Sequence, residues 1–184
     1  MVTELKRQSS KIPVRDLAIY AVLGTIMFVS RIIMQFIPNI HLLGLFIAAI
    51  TLTYRVRALI PLYVYIMLDG IFAGFAFWWM PYIYIWLPLW LMFMLIGKAR
   101  LPKKIQVPLY MALCGLHGLS FGAMYAPSWA LMAGLSFEAT IAWIIAGLGF
   151  DTAHAISNIV AGTLIIPLSE LLKKLRSPGP YSEF

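Results

Sequence analysis

Cysteine is nearly absent from this chain: among 184 residues there is one, Cys114. That excludes an internal disulfide and a zinc site built on cysteines. Charge is scarce too, with 11% of residues charged against 62% hydrophobic. A soluble domain of this length could not cover its surface with so little polar material. Internal repeats, low-complexity runs and linkers are also missing, so residues 1–184 read as one membrane domain. No cleavable leader is expected. Lys6, Arg7 and Lys11 precede an apolar stretch too long for a signal core, and no small-residue cleavage site follows it.

Long apolar runs dominate instead, and they read as membrane spans. Six are expected, over about 16–37, 39–54, 58–77, 81–97, 106–127 and 149–172. The fold class is therefore an all-α integral membrane protein. Residues 1–13 form a cytoplasmic segment, 14–174 a six-helix bundle and 175–184 a flexible tail. The second and fourth spans are short for a hydrocarbon core of about 30 Å.

The net charge of +7 first suggests nucleic acid, but its distribution does not. Lys6, Arg7, Lys11 and Arg15 precede span one, and Arg55 and Arg57 separate spans two and three. Lys98, Arg100, Lys103 and Lys104 separate spans four and five, and Lys173, Lys174 and Arg176 follow span six. With six spans these all fall on one side, while the connections around Pro38, Trp79 and Gly134 hold no lysine or arginine. That is the positive-inside asymmetry, and it places both termini in the cytoplasm. The stretch 128–148 is too apolar for a free loop. A single helix over 138–172 would run about 52 Å, too long for one span. A break at Gly147 and Gly149 is expected, with 138–147 an interfacial or partly inserted helix on the outer side.

Polar residues inside the membrane are the next signal, because burying an ionisable group there is costly unless it faces a partner or a cavity. Arg31 lies toward the outer face, fifteen residues after Asp16. Asp69 sits in span three. In "GFDTAHAISN", Asp151, His154 and Asn158 share one helical face. Arg31 has two candidate partners, Asp69 and Asp151, and Asp151 either reads a ligand or neutralises Arg31. Asn39 and His41 open span two. Aromatic rings crowd the third connection: Trp78, Trp79, Tyr82, Tyr84, Trp86 and Trp90 lie within "FAFWWMPYIYIWLPLW", and Trp129 and Trp143 add to them. An interfacial belt accounts for part of this. The rest suits a stacking wall for a planar ligand.

Three stretches carry a family resemblance: "FIPNIHLLGLFIAAITLTY", "YVYIMLDGIFAGFAFWWMPYIYIW" and "GFDTAHAISNIVAG". Their order resembles the substrate-binding S component of an energy-coupling factor (ECF) type vitamin transporter. The features are a Pro-Asn near span two, an aromatic third connection and a Phe-Asp-x-x-His-x-x-Ser-Asn start to span six. The resemblance runs from about 14 to 174. It implies a subunit of a prokaryotic cell membrane importer that is no enzyme, holds no cofactor or metal and binds one vitamin or precursor near the outer surface. It then docks on a transmembrane coupling subunit carrying two ATPase subunits, which use the ATP. Substrate-binding candidates carried over are Asn39, His41, Trp78, Trp79, Tyr82, Tyr84, Trp86, Trp129, Asp151, His154 and Asn158. Docking candidates are Ala18, Ala21 and Gly24, although the family's Ala-x-x-x-Ala pattern is broken here by Val22 and Thr25.

The best-fitting ligand is hydroxymethylpyrimidine, a thiamin precursor, with riboflavin, a cobalamin-type corrinoid and a queuosine precursor as alternatives. A different class, a rhomboid-like intramembrane serine protease, would use Ser120 and His154. Its pattern fits poorly, since Phe121 stands between Ser120 and the next glycine. A metal site would draw on His41, His117, Asp151 and His154, but His117 is expected deeper or on another face.

Overall fold

The computed structural model describes residues 12–37, 39–99 and 101–176. The expected cytoplasmic segment and tail lie mostly outside them. Every element among the described residues is helical: α1 (Val14–Met34), α2 (Leu43–Tyr54), α3 (Leu59–Ala73), α4 (Tyr82–Ile85), α5 (Leu87–Ile96), α6 (Lys103–Leu119), α7 (Phe121–Ala133), α8 (Phe137–Gly162) and α9 (Ile165–Leu175), with a 3₁₀ turn at Arg55–Ala58. By length and composition, four helical stretches can cross a membrane: Val14–Met34, Leu43–Ala73, Lys103–Ala133 and Phe137–Gly162. Tyr82–Ile96 is apolar but shorter.

Leu43–Ala73 is not one straight rod. Arg55 takes φ 57° and ψ −125°, in the left-handed half of backbone space that L-residues seldom enter. Side-chain contacts give the directions on either side. Arg57 reaches Asp16 at 3.6 Å, and Arg31 reaches Asp69 at 3.2 Å. α3 therefore runs parallel to α1. The Tyr54 ring meets Tyr20 edge-on at 5.2 Å, so α2 ends where α1 begins. The chain reverses at Arg55, whose guanidinium then donates to the carbonyls of Phe93 and Met94 at the end of α5.

The same end of the bundle collects further cations on backbone carbonyls. Arg15 donates to Leu175 O and Arg176 to Thr53 O, while Lys103 pairs with Glu170. α2 is the centre: ten of its twelve residues are buried, including Ala48 and Ala49, whose small side chains let neighbours close in. At about 18 Å it is short, but protein surrounds it on nearly every side, so its polar backbone ends need not meet lipid. α1 packs on α3, where Gly24 lies against Val64 and Pro61. Ala18 and Ala21 remain exposed, whereas Gly24 is spent on this internal packing.

Two long rods, α6–α7 and α8–α9, form a hairpin. Its turn is only Gly134 to Ser136: Gly134 closes α7 in the left-handed conformation (φ 65°), and the Ser136 hydroxyl caps α8 by accepting from Ala139 N at 3.2 Å. This corrects the expected break. α8 runs through Gly147 and Gly149 without interruption. Its bend comes at Thr163 and Leu164, whose N–H groups bond three residues back, to Val160 and Ala161. The cause is Pro167, which has no N–H for the Thr163 carbonyl and whose ring crowds it. Glycine weakens a helix by about 1 kcal/mol, whereas proline in the interior costs about 3 kcal/mol, so the proline decides the bend.

The outer arms of the hairpin are zipped by rings. Tyr125 stacks on Trp143 at 6.0 Å and Trp143 on Trp129 at 6.5 Å. Neither Gly147 nor Gly149 has a neighbour within 4 Å of a Cβ placed there. Alanine at either position is therefore expected to leave stability unchanged or raise it by up to about 1 kcal/mol, through helix propensity alone. Thermal unfolding in detergent checks this, and a clear loss would mean that the glycines have a role the packing does not display.

Candidate functional site

The site begins with a glycine seam. On α6 and α7, Gly118 and Gly122 face α8 so closely that a Cβ on Gly118 would stand 2.8 Å from backbone atoms of His154 and Ala155. Small residues allow membrane helices to approach to this degree. The seam turns Asp151, His154 and Asn158 inward, and all three are buried. Gly118→Ala should therefore cost at least about 1–3 kcal/mol, since backbone must move to admit the methyl. A thermal unfolding curve matching wild type would contradict that packing.

Asp151 sits opposite the junction of α6 and α7. Its Oδ1 accepts from Gly122 N at 2.9 Å, in the first turn of α7. That bond takes the Gly122 N–H out of the helical ladder and accounts for the kink at Ser120, as expected when a side chain inserts there. The carboxylate also faces the positive end of α7. Of the two partners the sequence offered Arg31, Asp69 is the one it pairs with, and Asp151 instead accepts from the start of α7. Its second oxygen, Oδ2, is buried without a hydrogen-bond partner among the described residues. Asp151→Asn retains an acceptor for Gly122, whereas Asp151→Ala removes the cap at a cost of about 1 kcal/mol. Near-wild-type unfolding for the asparagine variant and a lowered midpoint for the alanine variant are expected. Equal losses would argue against the capping role.

Beside this face lies an aromatic cluster centred on Trp86, which is 1% exposed. His117 stacks on its indole at 5.5 Å and 26°. His41 and Tyr82 meet it edge-on at 6.0 Å, Tyr65 at 6.5 Å, and Phe121 tilts against it at 5.7 Å. His154 touches both His41, at 5.0 Å, and Phe121, at 4.9 Å. His117 Nε2 lies 2.8 Å from the Ile85 carbonyl, an acceptor only, so Nε2 carries the proton and Nδ1 presents a lone pair.

Many polar atoms here are buried without a protein partner: Trp86 Nε1, the Tyr65 hydroxyl, His117 Nδ1, His154 Nδ1 and both ends of the Asn158 amide. Buried polar groups in folded proteins are nearly all hydrogen-bonded, because an unpaired one costs about 1–3 kcal/mol. A concentration of exceptions around one indole marks a place whose bonding is completed by something other than the chain. Donors and acceptors are mixed, and no lysine or arginine takes part among the described residues. The cluster therefore suits a neutral or weakly basic flat molecule that both gives and takes hydrogen bonds.

The expected candidates divide. His41, Tyr82, Trp86 and His154 converge; Asn158 lies one turn further along α8, between Gly44 and Gly118, and Asp151 stands at the edge. Trp79 is turned to α3, donating to Ile66 O at 2.8 Å and packing on Phe75. Tyr84 braces α7 through Met124 O at 3.0 Å and Ser128 Oγ at 2.8 Å. Trp78 stacks edge-on against Tyr82, and its carbonyl accepts from Tyr125. These contacts tie the third connection to α3 and α7. Trp129 is placed on the hairpin with Trp143, and Asn39 lies in the first connection in a left-handed conformation (φ 62°).

His117 is the correction in the other direction: expected deeper or on another face, it stacks on Trp86. Tyr65 and Phe121 were not foreseen, and the one usable hint was that Tyr65 lies one helical turn before Asp69. Among the described residues no three of His, Cys, Asp and Glu gather as metal ligands. Ser120 gives its hydroxyl to Leu116 O at 2.8 Å, one turn back along its own helix. Comparison with known protein families, with characterised proteins and with solved structures finds no match to this chain.

Proposed function

We propose that the protein is the substrate-binding subunit of an ECF-type importer, capturing a small vitamin-like heterocycle at the outer side of a prokaryotic cell membrane. The observation that carries this reading is the set of unpartnered buried polar atoms around Trp86. Such atoms are costly in a core packed for stability alone, and a bound ligand with matching donors and acceptors would satisfy them. Hydroxymethylpyrimidine is the proposed ligand. One ring fits a cluster this tightly packed better than the wide macrocycle of a corrinoid, and its amino group and ring nitrogens match mixed donors and acceptors. Riboflavin and a queuosine precursor remain the alternatives.

The topology proposed with it has six passes: α1, α2, α3, α4–α5, α6–α7 and α8–α9. The described cations outside Arg31 lie in or beside the connections at one end, which the positive-inside rule assigns to the cytoplasm, together with both termini. α8 measures about 39 Å against a core of about 30 Å, so the α7–α8 hairpin tilts or rises above the hydrocarbon. Transport itself would be powered by a coupling subunit and two ATPase subunits, with the exposed Ala18 and Ala21 face of α1 available for docking.

The test is direct. The purified protein is stripped of bound small molecules, these are identified by mass spectrometry, and rebinding is followed by tryptophan fluorescence without ATP. Trp86 at the centre predicts a large change on binding. Vesicle uptake without any ATPase module would refute the importer reading, and cleavage of a membrane substrate that Ser120→Ala abolishes would replace it with the protease.

A further inference from the structure

The first turn of α2 leaves backbone donors unused. The first four N–H groups of any helix lack a partner within it, and a buried helix end normally finds one elsewhere. α2 has no side-chain cap, and its first backbone bond runs from Phe46 N to Leu42 O at 3.0 Å. The N–H groups of Leu43, Gly44 and Leu45 have no acceptor among the described residues. They are also shielded from solvent: Leu43 is 2% exposed, Leu45 is 5% exposed and Gly44 is buried. Elsewhere the chain closes such ends itself. Ser136 caps α8, and Asp151 accepts from Gly122 at the start of α7.

A side chain from another helix points the same way. Asn158, 1% exposed, lies against this turn, its Oδ1 standing 2.8 Å from a Cβ placed on Gly44. Both ends of its amide are without a partner, and so is the buried Nδ1 of His41, two residues before α2. The His41 carbonyl accepts from Ser157 Oγ at 3.4 Å, which ties the entry of α2 to α8. Because His41 also meets Trp86 at 6.0 Å and His154 at 5.0 Å, the turn is continuous with the aromatic cluster. Three backbone donors thus stand beside an unpaired amide and an unpaired imidazole nitrogen. The helix dipole adds a positive potential at this end. Backbone N–H groups at a helix start receive oxygens that carry partial or full negative charge.

We propose that the first turn of α2, together with Asn158 and His41, is the subsite that receives an acceptor oxygen of the bound molecule, a hydroxyl or a ring carbonyl. This rests on the reading of the Trp86 cluster as the ligand site. The flat ring packs at Trp86, and the oxygen fixes its orientation by pointing to Leu43–Leu45. In hydroxymethylpyrimidine that oxygen is the hydroxymethyl group, which can also give its proton to the Asn158 amide oxygen. In riboflavin it is a ring carbonyl.

The backbone itself reports on this. Leucine precedes glycine three times in the chain, at Gly24, Gly44 and Gly149. Full-length protein carrying carbon-13 at the leucine carbonyl and nitrogen-15 in glycine therefore gives one selected amide signal for each in detergent. The Gly44 proton should lie further downfield in protein as purified than in protein stripped of small molecules, while Gly24 and Gly149 stay in place. Adding hydroxymethylpyrimidine to stripped protein should restore the shift. The same ring without the hydroxyl, 4-amino-2,5-dimethylpyrimidine, should bind about 10- to 100-fold more weakly and leave Gly44 unmoved. If riboflavin binds instead and shifts Gly44, the oxygen is a ring carbonyl. If an added molecule changes the tryptophan fluorescence without moving Gly44, or if the two pyrimidines bind equally, the subsite is overturned while the ligand site at Trp86 stands. If none of the three changes the fluorescence, the ligand assignment fails. The subsite then stands on a Gly44 signal that still moves on stripping, and a signal unmoved by stripping overturns it.

Discussion

Asn158→Leu is expected to make the ligand-free protein more stable while abolishing ligand capture. Asn158 is 1% exposed, and neither its oxygen nor its nitrogen has a hydrogen-bond partner among the described residues. It lies between Gly44 and Gly118, where a Cβ on either would come within 2.8 Å or 2.9 Å of the amide. Leucine has nearly the same shape and no polar atoms to desolvate. Replacing a buried unpaired amide by an isosteric apolar group removes a penalty of about 1–3 kcal/mol, so the unfolding midpoint should rise. Binding should move the other way. Ligand groups that met the amide would be buried unpaired, and a loss of about 2 kcal/mol corresponds to roughly 30-fold weaker binding. The two readouts are a thermal unfolding curve in detergent and a fluorescence titration with hydroxymethylpyrimidine. A lowered midpoint would mean that Asn158 holds helices together. Unchanged affinity alongside a raised midpoint would remove it from the site.

The second large effect is expected at Arg31 and Asp69. Asp69 is fully buried on α3, and Arg31 on α1 keeps 28% of its side chain exposed. Arg31→Leu leaves the carboxylate buried without its cation, and breaking a buried pair in this one-sided way costs about 3–5 kcal/mol. The partial exposure of Arg31 places the expected loss toward the lower end of that range. Asp69→Asn should cost less, because the remaining arginine is already partly exposed and can turn outward from the bundle. The double variant Arg31→Leu, Asp69→Leu should recover most of the loss, since replacing both charges by packed apolar groups is often neutral or better. Thermal unfolding of the single and double variants decides the matter. An additive double variant would show that the 3.2 Å contact carries no coupling. Because Tyr65 is one helical turn from Asp69 on α3 and meets Trp86, the single variants are also expected to weaken ligand binding through displaced α3, and the recovered double variant should bind again.

The all-helical class and the apolar stretches able to cross a membrane were legible because hydropathy acts residue by residue. The run from Leu43 to Tyr54 has almost no polar face to offer water, and α2 is buried accordingly. The break in the last rod was misread for a local reason. Gly147 and Gly149 suggest flexibility, yet neither interrupts α8, while Pro167 acts through a carbonyl four residues earlier and is easily overlooked. The site was half legible. His154 and Asn158 are conspicuous as polar residues at helical spacing in an apolar stretch. Tyr65 and Phe121 resemble ordinary core residues, and nothing local separates a ring that packs from a ring that lines a site. Trp79 and Tyr84 illustrate the converse: both belong to the aromatic run, and both spend their polar atoms on backbone carbonyls.

By itself the sequence determined that apolar stretches long enough to cross a membrane dominate the chain and that its cations gather in a few connections. It also determined which polar residues demand an explanation. Only the tertiary structure decided how each is explained, because burial cost is settled by partners and partners come from distant helices. Arg31 could have met either aspartate. The parallel packing of α1 on α3 gave it Asp69, and the glycine seam between α6 and α8 gave Asp151 to a helix end. His117, Tyr65 and Trp86 became neighbours for the same reason: three helices far apart in sequence converge on one indole, at a distance no spacing along the chain can encode.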